Sequence, residues 1–167
     1  MTSRDVLALP REPWLMVGHD LHRLDRSRVA VRAASGAIAA LSGSRMRSTA
    51  ELMHEFATAM AFPDYFGHTW PGLEDCLLDL AWLPASGYLV VIEDGEAVLA
   101  DEPDERVGLF GDLLVRVART WAAPSPGQGW PDRSAVPFHV VLICSSRVDQ
   151  AATVARWSAA GVGLTEL

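Results

Sequence analysis

The chain has 167 residues, half of them apolar, and its 21 acidic against 14 basic side chains give a formal charge of −7. A chain of about 150 residues buries roughly 68–70% of its unfolded surface, so one domain with a substantial core is expected and a disordered chain is excluded. A pI near 5.1 argues against a nucleic-acid binder, whose phosphate contacts need clustered basic charge, and makes a basic macromolecule the more natural partner.

Residues 1–35 are polar and Arg-rich, with a short apolar run at Trp14–Val17 and an alternating stretch, Val29-Ala30-Val31-Arg32. The first residues carry acidic and proline interruptions and no apolar h-region, so no signal peptide is expected and the cytosol is the expected compartment. Ala37–Leu41 reads as a strand ending in the turn Ser42-Gly43-Ser44. Ser48-Thr49-Ala50-Glu51 fits a capping box, in which the serine hydroxyl accepts from the third helical residue and the glutamate reaches back. Leu52, Met53, Phe56, Ala59 and Met60 follow at helical spacing, and Pro63 closes that helix because the residue before a proline is pushed out of the α region.

The loop Asp64-Tyr65-Phe66-Gly67-His68 leads to a second helix over about Trp70 to Ala81. Thr69 is its expected cap, and Pro71 is tolerated in a first turn whose N–H groups have no intrahelical partner. Leu73, Cys76, Leu77 and Leu80 form one apolar stripe. Tyr88–Ile92 is a continuous apolar run, the pattern of a strand covered on both faces. A short helix near Glu96–Ala100 and a long one near Glu105–Trp121 follow, then a Pro/Gly-rich loop beginning at Pro124. Val136–Cys144 is the last core strand; Val148–Ala160 reads as a helix, and Gly161-Val162-Gly163 leads into a final strand. Strands separated by helices imply an α/β fold with a small parallel sheet. The longest apolar runs are strand-length, far short of the roughly 20 residues of a membrane span. Cys76 and Cys144 sit in apolar runs as small buried thiols. Five of the six tryptophans are core candidates, while Trp70, beside the helix cap, is partly exposed for contact.

On the second helix Glu74, Asp75 and Asp79 project away from the leucine stripe. Asp75 and Asp79 stand one turn apart, where like charges cost about 0.2–0.5 kcal/mol, and no basic residue within the helix offsets them. The helix N-terminus recovers part of that cost for Glu74 and Asp75. Two readings are open: a solvated acidic face, or a binding surface for cationic groups beside the aromatic loop Tyr65-Phe66. His19 and His22, three apart, lack a third metal ligand, so no metal is expected. Cys76 with His68 is a poor nucleophile and base, because the stripe buries the thiol and the histidine sits in the loop. No P-loop, GxSxG or HExxH pattern occurs.

The run Phe62-Pro63-Asp64-Tyr65-Phe66-Gly67-His68-Thr69-Trp70-Pro71-Gly72-Leu73-Glu74-Asp75-Cys76-Leu77 resembles the central signature of barstar-like proteins, with Leu80-Ala81-Trp82-Leu83-Pro84, Tyr88–Ile92 and Val136–Leu142 agreeing downstream. The resemblance covers roughly residues 36–144. It implies a barstar-like domain over 36–145 with a three-stranded parallel sheet, flanked by an N-terminal extension (1–35) and a C-terminal tail (146–167). It also implies a cytoplasmic inhibitor, not an enzyme, that uses no cofactor and blocks a basic, secreted guanyl-specific ribonuclease of the barnase type. In that family an acidic helix and its adjacent loop plug the active site, a carboxylate standing in for the RNA phosphate. Position by position, Tyr65 matches the contact aromatic, Gly67 the close backbone approach, and Asp75 the phosphate-mimicking carboxylate. Phe66, Thr69, Trp70, Glu74 and Asp79 complete the expected partner-binding set. The chain departs from the best-known pattern at Thr69 (Asn there), Pro71 (an acid there) and Glu74 (an aromatic there). On the later helix, an acidic contact is replaced by the stretch Leu114-Val115-Arg116-Val117-Ala118-Arg119. The alternative is therefore an immunity or interaction module on the same scaffold, binding a related toxin or a host protein.

Overall fold

The apolar runs bounded by glycine, proline and polar turns become strands, and the stripes at helical spacing become helices laid across them. The computed structural model describes residues 7–124 and 134–167. Residues 125–129 of the Pro/Gly-rich loop, together with Trp130, lie outside the described residues.

Among the described residues, five strands form one parallel sheet in the order β2-β3-β4-β1-β5. They are β1 (Leu15–Gly18), β2 (Ala37–Ser42), β3 (Tyr88–Glu93), β4 (Phe138–Ile143) and β5 (Thr165–Glu166). The register sets Ala37 beside Tyr88, Tyr88 beside Phe138, and Leu15 beside Val140. The sheet thus exceeds the expected three strands, and the flanking segments supply the other two. β1 is only four residues long, and β5, an exposed two-residue strand, is the final strand expected after Gly163. The alternating stretch Val29–Arg32 is not a strand but the last turns of a helix.

Helix α1 (Leu21–Ala33) covers one face of the sheet, where Leu24 and Val31 pack with Met16, Leu89, Val91, Val141 and Ile143. The other face carries α2 (Thr49–Ala59), α3 (Trp70–Asp79), α4 (Asp104–Ala122) and α5 (Arg147–Ala159) around Val90, Ile92, Val140 and Leu142. Strands β3 and β4 are thus buried from both sides, which is why they read as continuous apolar runs. His139, buried in β4, has a carbonyl oxygen 2.9 Å from each ring nitrogen, Pro13 at Nδ1 and Leu9 at Nε2. It thereby ties the segment before β1 to the sheet, and burial pushes its pKa down.

Local signals set the helix ends. The Ser48 capping box closes in both directions, the serine N–H donating to Glu51 at 3.0 Å. Helix α2 stops at Ala59, ahead of Pro63, because Ala61 already turns left-handed (φ 51°). Helix α3 stops two residues short of the expected Ala81, where Leu80 swings to φ 44° and buries its side chain. The segment after Asp94 makes only a short 3-10 turn, Gly95–Ala97, in place of the expected helix. Two glycines seat α4 against the end of α5 and the residues leading to β5. A Cβ on Gly108 would lie 2.7 Å from the Ala160 carbonyl oxygen, and one on Gly111 2.6 Å from Val162. Trp121 then donates its indole N–H to the Leu77 carbonyl at 2.8 Å, locking α4 beside α3.

Candidate functional site

The loop between α2 and α3 is held from beneath. Phe66 donates its N–H to the Pro63 carbonyl at 3.0 Å, closing a tight turn over residues 63–66. Phe62 packs edge-on against both Phe66 (5.0 Å) and Trp82 (5.9 Å), and Trp82 donates its indole N–H to Met60 at 3.0 Å. Phe66 is therefore a correction to the expected contact set: at 6% exposed it anchors the loop from inside and does not face a partner. Its neighbour Tyr65 takes the outer position, 68% exposed, with its ring edge-on to Trp82 at 6.5 Å.

His68, at φ 54°, lays its ring on Phe66 at 4.7 Å and delivers the chain to Thr69. Thr69 caps α3 as expected, its hydroxyl accepting the Gly72 N–H at 3.1 Å, and Pro71 sits in the first turn. Gly67 is exposed, and a Cβ there would meet nothing within 4 Å, so the fold itself does not demand glycine at this position. Trp70 is half-buried, its ring 6.2 Å from Phe110 where α3 meets α4.

The three acids of α3 have different surroundings. Asp75 and Asp79 are exposed, with Leu73, Cys76 and Leu77 buried behind them. Asp79 accepts the Tyr65 hydroxyl at 3.1 Å, which joins loop and helix into one surface. Glu74 is half-buried and carries an ion pair that helix spacing alone could not reveal: Arg116 of α4 donates Nε and Nη2 to its two oxygens at 2.9 and 3.0 Å. The Arg116 hydrogen bonds hold the Glu74 carboxyl below the usual carboxylate range. The expectation of an uncompensated acidic face is thus corrected at Glu74. The offsetting charge comes from 42 positions further along, and its only sequence trace is an arginine on the polar side of the 105–121 stripe.

Cys76 is buried and free, and burial first, then Asp75 and Asp79, raise its thiol pKa. That is the opposite of the lowered value a nucleophilic thiolate needs. His19 faces Gln150 across the sheet edge, His22 is exposed, and among the described residues no group of three metal-ligating side chains occurs. Two clefts, of about 420 and 470 Å³, are lined by the ends of β1 and β5 with parts of α4 and α5. No residue of the 60–69 loop or of α3 lines either. Among the described residues no helix is long and apolar enough to cross a membrane.

Comparison with known proteins separates fold from family. No curated protein matches the chain. Among solved structures, the Aeropyrum pernix ORC2 protein matches at a TM-score of 0.53 in its ADPNP-ADP complexes, with 12% identity over 88% of this chain and 36% of that one. Its ADP form matches at 0.52, with 10% identity over 92% and 41%. The Drosophila ORC bound to AT-rich DNA and Cdc6 matches at 0.47, with 8% identity over 92% and 48%. The chain spans less than half the length of these proteins, and the two Aeropyrum pernix matches, at identities this low, speak only of a shared α/β arrangement. The family model for Barstar (barnase inhibitor) matches residues 37–143, from the first residue of β2 to the last of β4 and including the whole loop–α3 surface. On that match the chain belongs to the barstar family.

Proposed function

We infer that the chain inhibits a ribonuclease of the barnase type by presenting Asp75, Asp79 and Tyr65 to the cationic groups of its active site. The observation that carries this reading is the pair of exposed carboxylates one turn apart, joined to an exposed aromatic by the Tyr65–Asp79 hydrogen bond. A carboxylate accepts both arms of an arginine fork, and such contacts are shorter and stronger than neutral hydrogen bonds. A cleft that holds phosphate with arginines and lysines accepts the same geometry from a carboxylate. The loop's buried aromatic support keeps the surface in place before binding, so little ordering entropy is lost on association. Thr69, Trp70 and the open backbone at Gly67 border the contact, and the protein acts in the cytosol of the cell that makes the enzyme.

Titrating the protein into a purified guanyl-specific ribonuclease tests this directly. Stoichiometric loss of RNA cleavage is expected. Asp75→Ala should weaken inhibition by about 100-fold or more, the range of a central hot spot, while exposed Asp25→Ala on the opposite face of the sheet leaves it unchanged. Equal effects of the two substitutions would overturn the assignment of this surface.

A second reading, an immunity module for a different toxin, is favoured by the Glu74–Arg116 pair, which places a cation where a purely acidic plug has none. Absence of binding at low salt to any barnase-type enzyme, with capture of another toxin that Asp75→Ala abolishes, selects it.

A further inference from the structure

The contact between α3 and α4 leaves a cation on Glu74, the residue next in sequence to exposed Asp75. A guanidinium has five N–H donors in a rigid fork. Arg116 spends one edge, Nε and one N–H of Nη2, on the two oxygens of Glu74. The other edge meets no acceptor among the described residues, and the side chain is 55% exposed against 26% for Glu74. Asp112, one turn earlier on α4, adds only charge attraction. An arginine fixed at one edge and open at the other is an oriented donor whose rotamer freedom is already lost before a partner arrives.

The ionic contact with Glu74 does not by itself call for this geometry, because a surface ion pair adds little to stability. Its consequence lies in what it presents. Asp75 follows Glu74 on α3, so the exposed acid and the arginine that Glu74 holds lie within one turn of the same helix, near enough for one partner to span both. Resting on the inhibitor reading above, we propose that the binding surface extends from α3 onto α4, with Asp75 and Asp79 receiving cationic groups of the ribonuclease and Arg116 receiving a carboxylate that stands beside them on the same enzyme. Arg116 is then a specificity residue. It rejects a contact surface that is cationic throughout, by like-charge repulsion, and accepts one that carries an acid at the rim of its phosphate site.

The test measures affinity and rates for a purified barnase-type ribonuclease with four variants: Asp75→Asn, Arg116→Ala, Arg116→Lys and Arg116→Glu. Asp75→Asn reports on the underlying inhibitor reading and should disable binding. Arg116→Ala should weaken binding about 10-fold, chiefly through faster dissociation, as truncating one partner of a paired charge does. Arg116→Lys keeps the charge without the fork and should recover only part of the loss. Arg116→Glu should cost more than alanine. If Asp75→Asn disables binding while Arg116→Ala leaves it unchanged, or Arg116→Glu tightens it, the two-signed surface is overturned and the inhibitor reading stands. If the unaltered protein does not bind, or Asp75→Asn is silent, the inhibitor reading fails and takes this one with it.

Discussion

At Tyr65 the phenol stands at the junction of loop and helix, and its titration reports whether that junction exists in solution. Partial desolvation of the hydroxyl raises its pKa above the ordinary value, and the Asp79 carboxylate adds to the rise both as acceptor and as charge. A phenolate beside a carboxylate is disfavoured, so the sign is upward from the ordinary value near 10. Asp79→Asn removes the charge and leaves the desolvation, and the midpoint, followed by NMR of the Tyr65 ring, should fall back toward that ordinary value. An unchanged midpoint would mean that the ring does not rest on Asp79. Adjacent Glu74 and Asp75 make the same point about neighbours. One is half-buried and fixed by an arginine, the other is exposed, and only their positions on the helix relative to α4 separate them.

Helix α3 depends on its first turn. Thr69 supplies the one side-chain cap, and Pro71 presets the backbone there. Thr69→Ala should cost about 1 kcal/mol, the usual value of a threonine cap. For a domain of this size that is a fall in melting temperature of roughly 2–4 °C by calorimetry. A shift inside experimental error would show that Pro71 and packing hold the turn unaided. Such caps are legible in the sequence, at Thr69 as at the Ser48 capping box, because they depend on residues three apart. The stripe Leu73-Cys76-Leu77-Leu80 and the runs that become β3 and β4 are legible for the same reason. The final strand after Gly163 is legible through its turn residues, but β1, four residues at Leu15–Gly18, is not, and the place of both in the sheet is set by pairing across more than a hundred residues of chain. Phe66 is misplaced by sequence because two consecutive aromatics look alike there, and only the turn at Pro63 decides which one points inward. Arg116 stands out in sequence as a departure from the family pattern, but not as the partner of Glu74, since the α3–α4 crossing is a property of packing.

Over the whole molecule, two facts bear on how a partner is captured. The formal charge is −7, and Asp75 and Asp79 lie exposed on α3, so the protein's field attracts basic molecules from beyond contact distance, as the inhibitor proposal requires. The surface is carried by a sheet covered on both faces, with α3 tied to α4 through Trp121 and Leu77, so it is held in place before any encounter. Attraction between separated charges reaches about 30 Å at 0.01 M salt and about 8 Å at 0.15 M. The association rate with a basic ribonuclease should therefore fall about 10-fold or more across that range, within the span expected of electrostatic steering, while the dissociation rate changes far less. Contacts already closed are screened much less than charges still approaching, which is why the two rates part. The double substitution Asp75→Asn with Asp79→Asn should flatten the dependence by removing the charges nearest the contact. Stopped-flow measurement at several salt concentrations reads both rates at once. An association rate that does not respond to salt would mean that the net charge of the chain plays no part in finding its partner, and that shape alone brings the two proteins together.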